Sequence, residues 1–208
     1  MQIAILLYDN CTVLDAVGPY QTLGPLPDAD TVFVAEQAGP VLDDNRSLSL
    51  VAAKSLSEVT RPDIVIVPGG PEPDVGNEAV LGWLRAVDAT STWTVSVCTG
   101  SLLLAAAGLL NGRRATSHWT TLERLREFGA EPSRQRVVFD GKYVTAAGVS
   151  AGIDMGLTLA GKIAGDEHAQ AVQLMIEYDP QPPYDAGSPD KAPAALVELI
   201  SGAPAPGQ

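Results

Sequence analysis

Trp93-Thr-Val-Ser-Val97 runs directly into Cys98-Thr-Gly100 and then into Ser101-Leu-Leu-Leu-Ala-Ala-Ala107. The first segment is rich in the β-branched and aromatic residues that favour a pleated strand. The last is apolar all round, the pattern of a helix covered on every side and placed in the middle of a molecule. Asp63-Ile-Val-Ile-Val67 repeats the arrangement, stopping abruptly at Pro68-Gly-Gly70, and Gln2-Ile-Ala-Ile-Leu-Leu-Tyr8 is a third run suited to burial on both faces of a parallel sheet. Carboxyl ends of such strands are where open α/β sheets keep their sites.

Helical patterns alternate with these strands. Thr12 to Val17 leads into one helix, and Glu78 to Asp88 forms a second, with Val80, Leu81, Leu84 and Val87 at helical spacing. A third starts at Thr99. Trp119 to Phe128 is amphipathic and stops at Gly129; Ala151 to Ile163 and Glu167 to Tyr178 follow. Arg136 to Phe139 and Tyr143 to Ala146, around Asp140-Gly141, read as a hairpin. Seven of the 16 prolines fall in Pro180 to Pro206, so the chain after about 180 reads as an extended surface tail with a short helix at Ala194 to Ile200. The expectation is a single domain over 1–208, of α/β class, with a mostly parallel sheet and a small antiparallel hairpin.

Composition narrows the function. The 208 residues hold 13 Lys and Arg against 25 Asp and Glu, a formal net charge of −12, the wrong sign for neutralising phosphates, so no nucleic-acid partner is expected. The two cysteines, Cys11 and Cys98, offer neither a disulfide framework nor a CxxC metal pair, which fits a reducing cytoplasm. Leu102 to Leu110 is far short of the ~20 residues that span a bilayer, so no membrane partner is expected.

Cys98 is the most informative residue. Small residues at Ser96 and Gly100 permit the sharp strand-to-helix turn of a nucleophile elbow, and a sulfur at a helix N-terminus is expected to have a lowered pKa. A buried structural cysteine is the other reading. Asp15 is a carboxylate in an apolar stretch; it either caps a helix or faces Cys98, in which case the two acids share a proton. Gly69 and Gly70 form either an anion hole or an ordinary turn. His118 lies near a strand end and reads as a pocket or core hydrogen-bonding residue, while Cys11 reads as structural. No metal is expected at His118, which lacks companion ligands.

Val13-Leu-Asp-Ala-Val-Gly-Pro19, Val67-Pro-Gly-Gly70, Ser96-Val-Cys-Thr-Gly-Ser101 and Ala115-Thr-Ser-His-Trp119 together resemble the ThiJ/PfpI superfamily, in particular its isocyanide hydratase branch. Gly148 to Asp154 and Glu177 to Asp190 extend the similarity over nearly the whole chain. The resemblance implies a flavodoxin-like three-layer sandwich, a homodimer, a nucleophilic Cys98 and an acidic partner at Asp15, where the superfamily commonly carries Glu. Thr99 stands where protease-like members have His. The implied reaction adds water to a small apolar isocyanide to give an N-substituted formamide through a Cys98 thioimidate, without cofactor. Thr99 would orient Asp15 or water, and Gly69, Gly70, His118, Trp119, Gly148 and Val149 would line the pocket, with Val149 gating it. Two other readings stand beside it: cofactor-free α-oxoaldehyde conversion, which prefers a Glu and a nearby His, and a non-enzymatic cysteine sensor.

Overall fold

Period-two alternation along the central strands separates two apolar cores and so builds three layers. The strands are β1 (Gln2–Leu6), β2 (Asp30–Ala35), β3 (Gly39–Leu42), β4 (Ser49–Ala52), β5 (Lys54–Ser55), β6 (Ile64–Val67), β7 (Trp93–Val97), β8 (Arg114–Ala115), β9 (Glu131–Pro132), β10 (Val137–Asp140) and β11 (Tyr143–Ala146). The helices are α1 (Val13–Leu23), α2 (Glu78–Asp88), α3 (Gly100–Ala106), α4 (Ala151–Ala164), α5 (Asp166–Met175) and α6 (Ala194–Ser201). The computed structural model describes residues 1–202.

Seven strands form one sheet in the order β10-β11-β7-β6-β1-β2-β5. Every pairing in it is parallel except β10 with β11. Ile3, Ile5, Ile64, Ile66, Val95 and Val97 join Ala16 and Leu23 of α1 and Met155 and Leu159 of α4 in one core. Ala4, Leu6, Val65 and Val67 join Val80 and Leu84 of α2 and Leu102 and Leu104 of α3 in the other. The α/β three-layer sandwich with a mostly parallel sheet is therefore the observed architecture.

The chain divides into two compact units, Met1–Ile176 and Glu177–Gln208. The first contains the sheet and α1 to α5. The second, described to Gly202, contains an ion pair between Lys191 and Asp185 at 2.7 Å and helix α6, close to the short helix expected there. Pro204 and Pro206 of the proline-rich tail lie outside the described residues. Among the described residues, no helix is long and apolar enough to cross a membrane.

Some elements depart from the sequence expectation for local reasons. The helix expected from Trp119 begins only at Leu122 and is a 3-10 segment, Leu122–Phe128. Before it, the Thr121 hydroxyl donates to the His118 carbonyl at 3.2 Å, a local side-chain bond that competes with helical backbone pairing over 119–121. Gly129 does end the segment, in the left-handed conformation. Helix α5 stops at Met175 instead of Tyr178, and Glu177 has a φ of 49°. In the hairpin, Asp140 pairs with Tyr143, so Gly141 and Lys142 form the two-residue turn. Strand β2 and the separate β3–β4 hairpin are elements the sequence analysis does not assign.

Helices α1 and α4 cross where Gly156 meets Thr22, and a Cβ on Gly156 would overlap Thr22 Oγ1. Thr22 is fully buried and its hydroxyl donates to the Gly18 carbonyl at 3.1 Å, so it has no free volume to rotate into. Gly156→Ala is expected to destabilise the protein by ~1–3 kcal/mol through overpacking. Urea denaturation measures this; an unchanged or raised midpoint would mean that the crossing relaxes.

Candidate active site

Four adjacent strands, β11, β7, β6 and β1, deliver their carboxyl ends to one edge of the sheet. Each is followed by a segment singled out in the sequence: Gly148-Val149, Cys98-Thr99, Pro68-Gly69-Gly70 and Asp15 respectively. Cys98 has φ +58°, a conformation L-residues rarely adopt, which turns the chain sharply from β7 into α3. Its N–H donates to the Ala146 and Ala147 carbonyls, each at 3.0 Å. Its own carbonyl accepts from the hydroxyls of Ser101 at 3.1 Å and Ser117 at 3.2 Å.

Asp15 is the third residue of α1, behind Thr12 at the N-cap, where a capping box would return its carboxyl to the Thr12 N–H. The structure dismantles that box. The Thr12 N–H donates to the Gly69 carbonyl at 2.8 Å, and its hydroxyl donates to Asp44 Oδ2 at 2.6 Å instead of capping the helix. Asp15 Oδ2 accepts the Gly69 N–H at 2.9 Å. Oδ1 is buried and completes no hydrogen bond, while the Cys98 thiol stands near enough to act on the carboxyl. Helix capping is therefore not the role of this carboxylate.

Burial pushes the Asp15 carboxyl up to about 7; the Gly69 N–H and the Cys98 side chain oppose that rise, and the charge of Asp44 adds to it. Burial first, and then the Asp15 charge, push the Cys98 thiol up to about 12 against the opposing N–H groups of Val149 and Thr99 and the Thr99 hydroxyl. This corrects the expected lowering by the helix N-terminus. Helix α3 is only seven residues long and Cys98 is 5% exposed, so desolvation outweighs the dipole. Between the two midpoints the pair holds a single proton.

The glycine loop is not an open anion hole, because the Gly69 N–H is taken by Asp15 and the Gly70 N–H is accepted by Thr99 Oγ1 at 2.9 Å. Thr99 in turn donates to the Gly70 carbonyl at 2.6 Å. Gly69 admits no side chain: a Cβ would stand 2.6 Å from Thr99 N and Oγ1 and 2.9 Å from Asp15 Oδ2. The loop thus clamps the acid against the elbow.

Val149 has φ +23°, a strained value for a β-branched residue, and packs beside the core that contains Cys98. The His118 ring lies on Gly148, where a Cβ would come within 2.7 Å of it, and its Nδ1 is 2.7 Å from Thr120 Oγ1. Burial lowers the His118 pKa and favours the neutral ring. Trp119 reaches the cluster through His118, with ring centroids 5.7 Å apart. Cys11 is buried behind Gly70. A separate groove of about 510 Å³ between α4 and α5 is lined by other residues, including Thr158, Lys162, Asp166 and Gln170.

Three contributors were not found from sequence. Ser117, beside the noted His118, supports the elbow carbonyl. Tyr8 donates its hydroxyl to the Pro68 carbonyl at 3.0 Å and pins the glycine loop. Asp44 lies on a hairpin that the apolar pattern gives no reason to bring here.

Residues 1–162 match the DJ-1/PfpI family. The chain is 43% identical over 200 residues to the isonitrile hydratase of Pseudomonas putida, spanning 95% of this chain and 87% of that protein. A crystal structure of a ThiJ/PfpI family protein from Pseudomonas syringae superposes with a TM-score of 0.91 at 39% identity, over 97% of this chain and 86% of that one. An HTH-type transcriptional regulator, CdhR of Pseudomonas aeruginosa, is 34% identical over 148 residues, which are 70% of this chain but 43% of the regulator. On the family match and these identities, the chain belongs to the DJ-1/PfpI family.

Proposed function

We propose that the protein is an isocyanide hydratase, converting R–N≡C and water into R–NH–CHO with Cys98 as nucleophile and Asp15 as proton carrier. The observation that carries this reading is the buried Cys98–Asp15 pair at the carboxyl edge of the sheet, joined to 43% identity with an isonitrile hydratase. The isocyanide carbon is soft and weakly polar, which suits sulfur as the attacking atom. As the Cys98–carbon bond forms, Asp15 passes the shared proton to that carbon, leaving a thioimidate, R–N=CH–S–Cys98, and an Asp15 carboxylate. The carboxylate then takes a proton from water as its oxygen adds to the thioimidate carbon, and gives that proton to the nitrogen. When the tetrahedral adduct collapses, its hydroxyl proton returns to Asp15 and the sulfur leaves as thiolate. RNC and H2O have become RNHCHO, and the pair again holds one proton.

Thr99, fixed by both of its bonds to Gly70, keeps its backbone N–H near the sulfur and supports the thiolate. Gly69, Gly70, Gly148, Val149, His118 and Trp119 are proposed to shape the pocket, with Val149 at its gate. The reaction requires no metal or organic cofactor. His118, hydrogen-bonded with Thr120, is given no proton to carry. A cytoplasmic location, a single domain and a homodimer complete the proposal. Leu174 and Met175 of α5, 78% and 63% exposed, supply apolar surface for a second copy.

Cys98→Ala is expected to abolish formamide production, followed by proton NMR with a simple alkyl isocyanide, while far-UV circular dichroism stays native. Turnover near wild type would rule out the covalent route. In the wild type, kcat/KM should rise through about pH 7 as the pair loses its first proton, then level off.

Asp15→Asn should cut turnover ~10²-fold or more and yet stabilise the fold. The folded carboxyl is pushed up to about 7 from its ordinary 3.8, so the unfolded chain loses its proton first and stability falls as pH rises between those values. The ionised site costs on the order of 4 kcal/mol above pH 7. The variant should therefore melt higher than wild type at pH 8 and no higher at pH 4.

A further inference from the structure

The β3–β4 hairpin lies outside the main sheet, yet its turn is fastened to the segment that carries Asp15. The Asn10 N–H donates to the Leu42 carbonyl at 2.9 Å, and the Asp44 N–H donates to the Cys11 carbonyl at 3.2 Å. Arg46 Nη1 donates to Asn10 Oδ1 at 3.3 Å. Asp43 shapes the turn by accepting the N–H groups of Ser47 at 2.8 Å and Leu48 at 2.9 Å. Asp44 accepts the Thr12 hydroxyl at 2.6 Å, which diverts the N-cap residue of α1 from its ordinary task. A Thr at that position normally stabilises the helix by roughly 1 kcal/mol through its cap. Here the hydroxyl instead fixes a second carboxylate three residues ahead of the first.

We propose that Asp44 is a positioning residue for the reaction: its carboxylate, anchored by the Thr12 hydroxyl at the start of α1, sets a fixed negative charge against Asp15 and favours the protonated acid over the carboxylate. This rests on the reading of Asp15 as the proton carrier. A negative charge beside a carboxyl disfavours loss of its proton. The ionisable groups around Asp15 are all acidic: Cys98 at the elbow, Tyr8 and Cys11 on the segment after β1, and Asp44 on the hairpin. On α4, which packs against α1, Asp154 is bound by Arg136 and Lys162 stands over the Phe139 ring. The guanidinium of Arg46 is directed to Asn10 rather than to Asp44. Burial is the larger reason that Asp15 holds its proton, and Asp44 adds to it in the same direction.

The test is a carboxyl ¹³C NMR titration of the whole protein labelled at aspartate, with Asp15→Asn assigning the resonance. Asp44→Asn keeps an acceptor for Thr12 and removes only the charge; it should move the Asp15 midpoint to lower pH and carry the rising limb of kcat/KM with it, while Asp44→Glu restores both. Thr12→Val, which releases the anchor and keeps the charge, should also lower the midpoint and decides the matter if Asp44→Asn does not fold. An Asp15 midpoint unmoved in a folded variant overturns the proposal. So does a moved midpoint with an unmoved rate profile. If the wild type forms no formamide, the hydratase reading and the role of Asp44 in the reaction both fall, and the titration alone still decides whether Asp44 holds the proton.

Discussion

A carboxyl and a thiol are buried side by side, and much of the structure serves to make that arrangement tolerable. Neither charge is solvated: Asp15 is fully buried and Cys98 is nearly so. No cation among the described residues is hydrogen-bonded to either side chain; one carboxyl oxygen has the Gly69 N–H and the sulfur has the N–H groups of Val149 and Thr99. The site is therefore costly to fold and is held by over-determined backbone. Cys98 and Val149 both adopt positive φ, and the Cys98 carbonyl is gripped by two hydroxyls. Stability given up at such a point is a common accompaniment of activity.

The parallel sheet makes this possible because it brings the ends of four neighbouring strands to one edge. The acid, the clamp, the nucleophile and the strained loop arrive from segments far apart in sequence and are locked by the reciprocal bonds of Thr99 with Gly70 and by the Gly69 N–H donated to Asp15. The spacing between α1 and α4 carries the same precision into the helix layer through the Gly156–Thr22 contact.

The sequence made the centre of the molecule legible because its strands are buried on both faces, so apolar runs ending at small residues mark both sheet and site. Helix α2 is recovered over Glu78–Asp88 as expected, since Asn77 caps it and its apolar spacing is regular. What failed was decided by contacts distant in sequence or by local competition. Strand β2 buries only its last two residues, and the β3–β4 hairpin is defined by its fastening to the Tyr8–Thr12 segment. The Thr12-Val-Leu-Asp15 spacing points to a cap, and only the approach of Gly69 and Asp44 diverts both side chains. The expected drop in the Cys98 pKa failed for a similar reason: a helix start is visible in sequence, whereas the depth of burial is not.

The central claim is that the isocyanide carbon becomes bonded to Cys98 before water adds. The most direct measurement is rapid-quench mass spectrometry of the wild-type protein mixed with an isocyanide labelled with ¹³C at the terminal carbon. The account predicts a transient gain of one isocyanide mass, mapped to the peptide containing Cys98 and decaying into labelled formamide at a rate no slower than turnover. Formamide appearing at full rate with no adduct at any quench time, or an adduct on Cys11 instead, would contradict it.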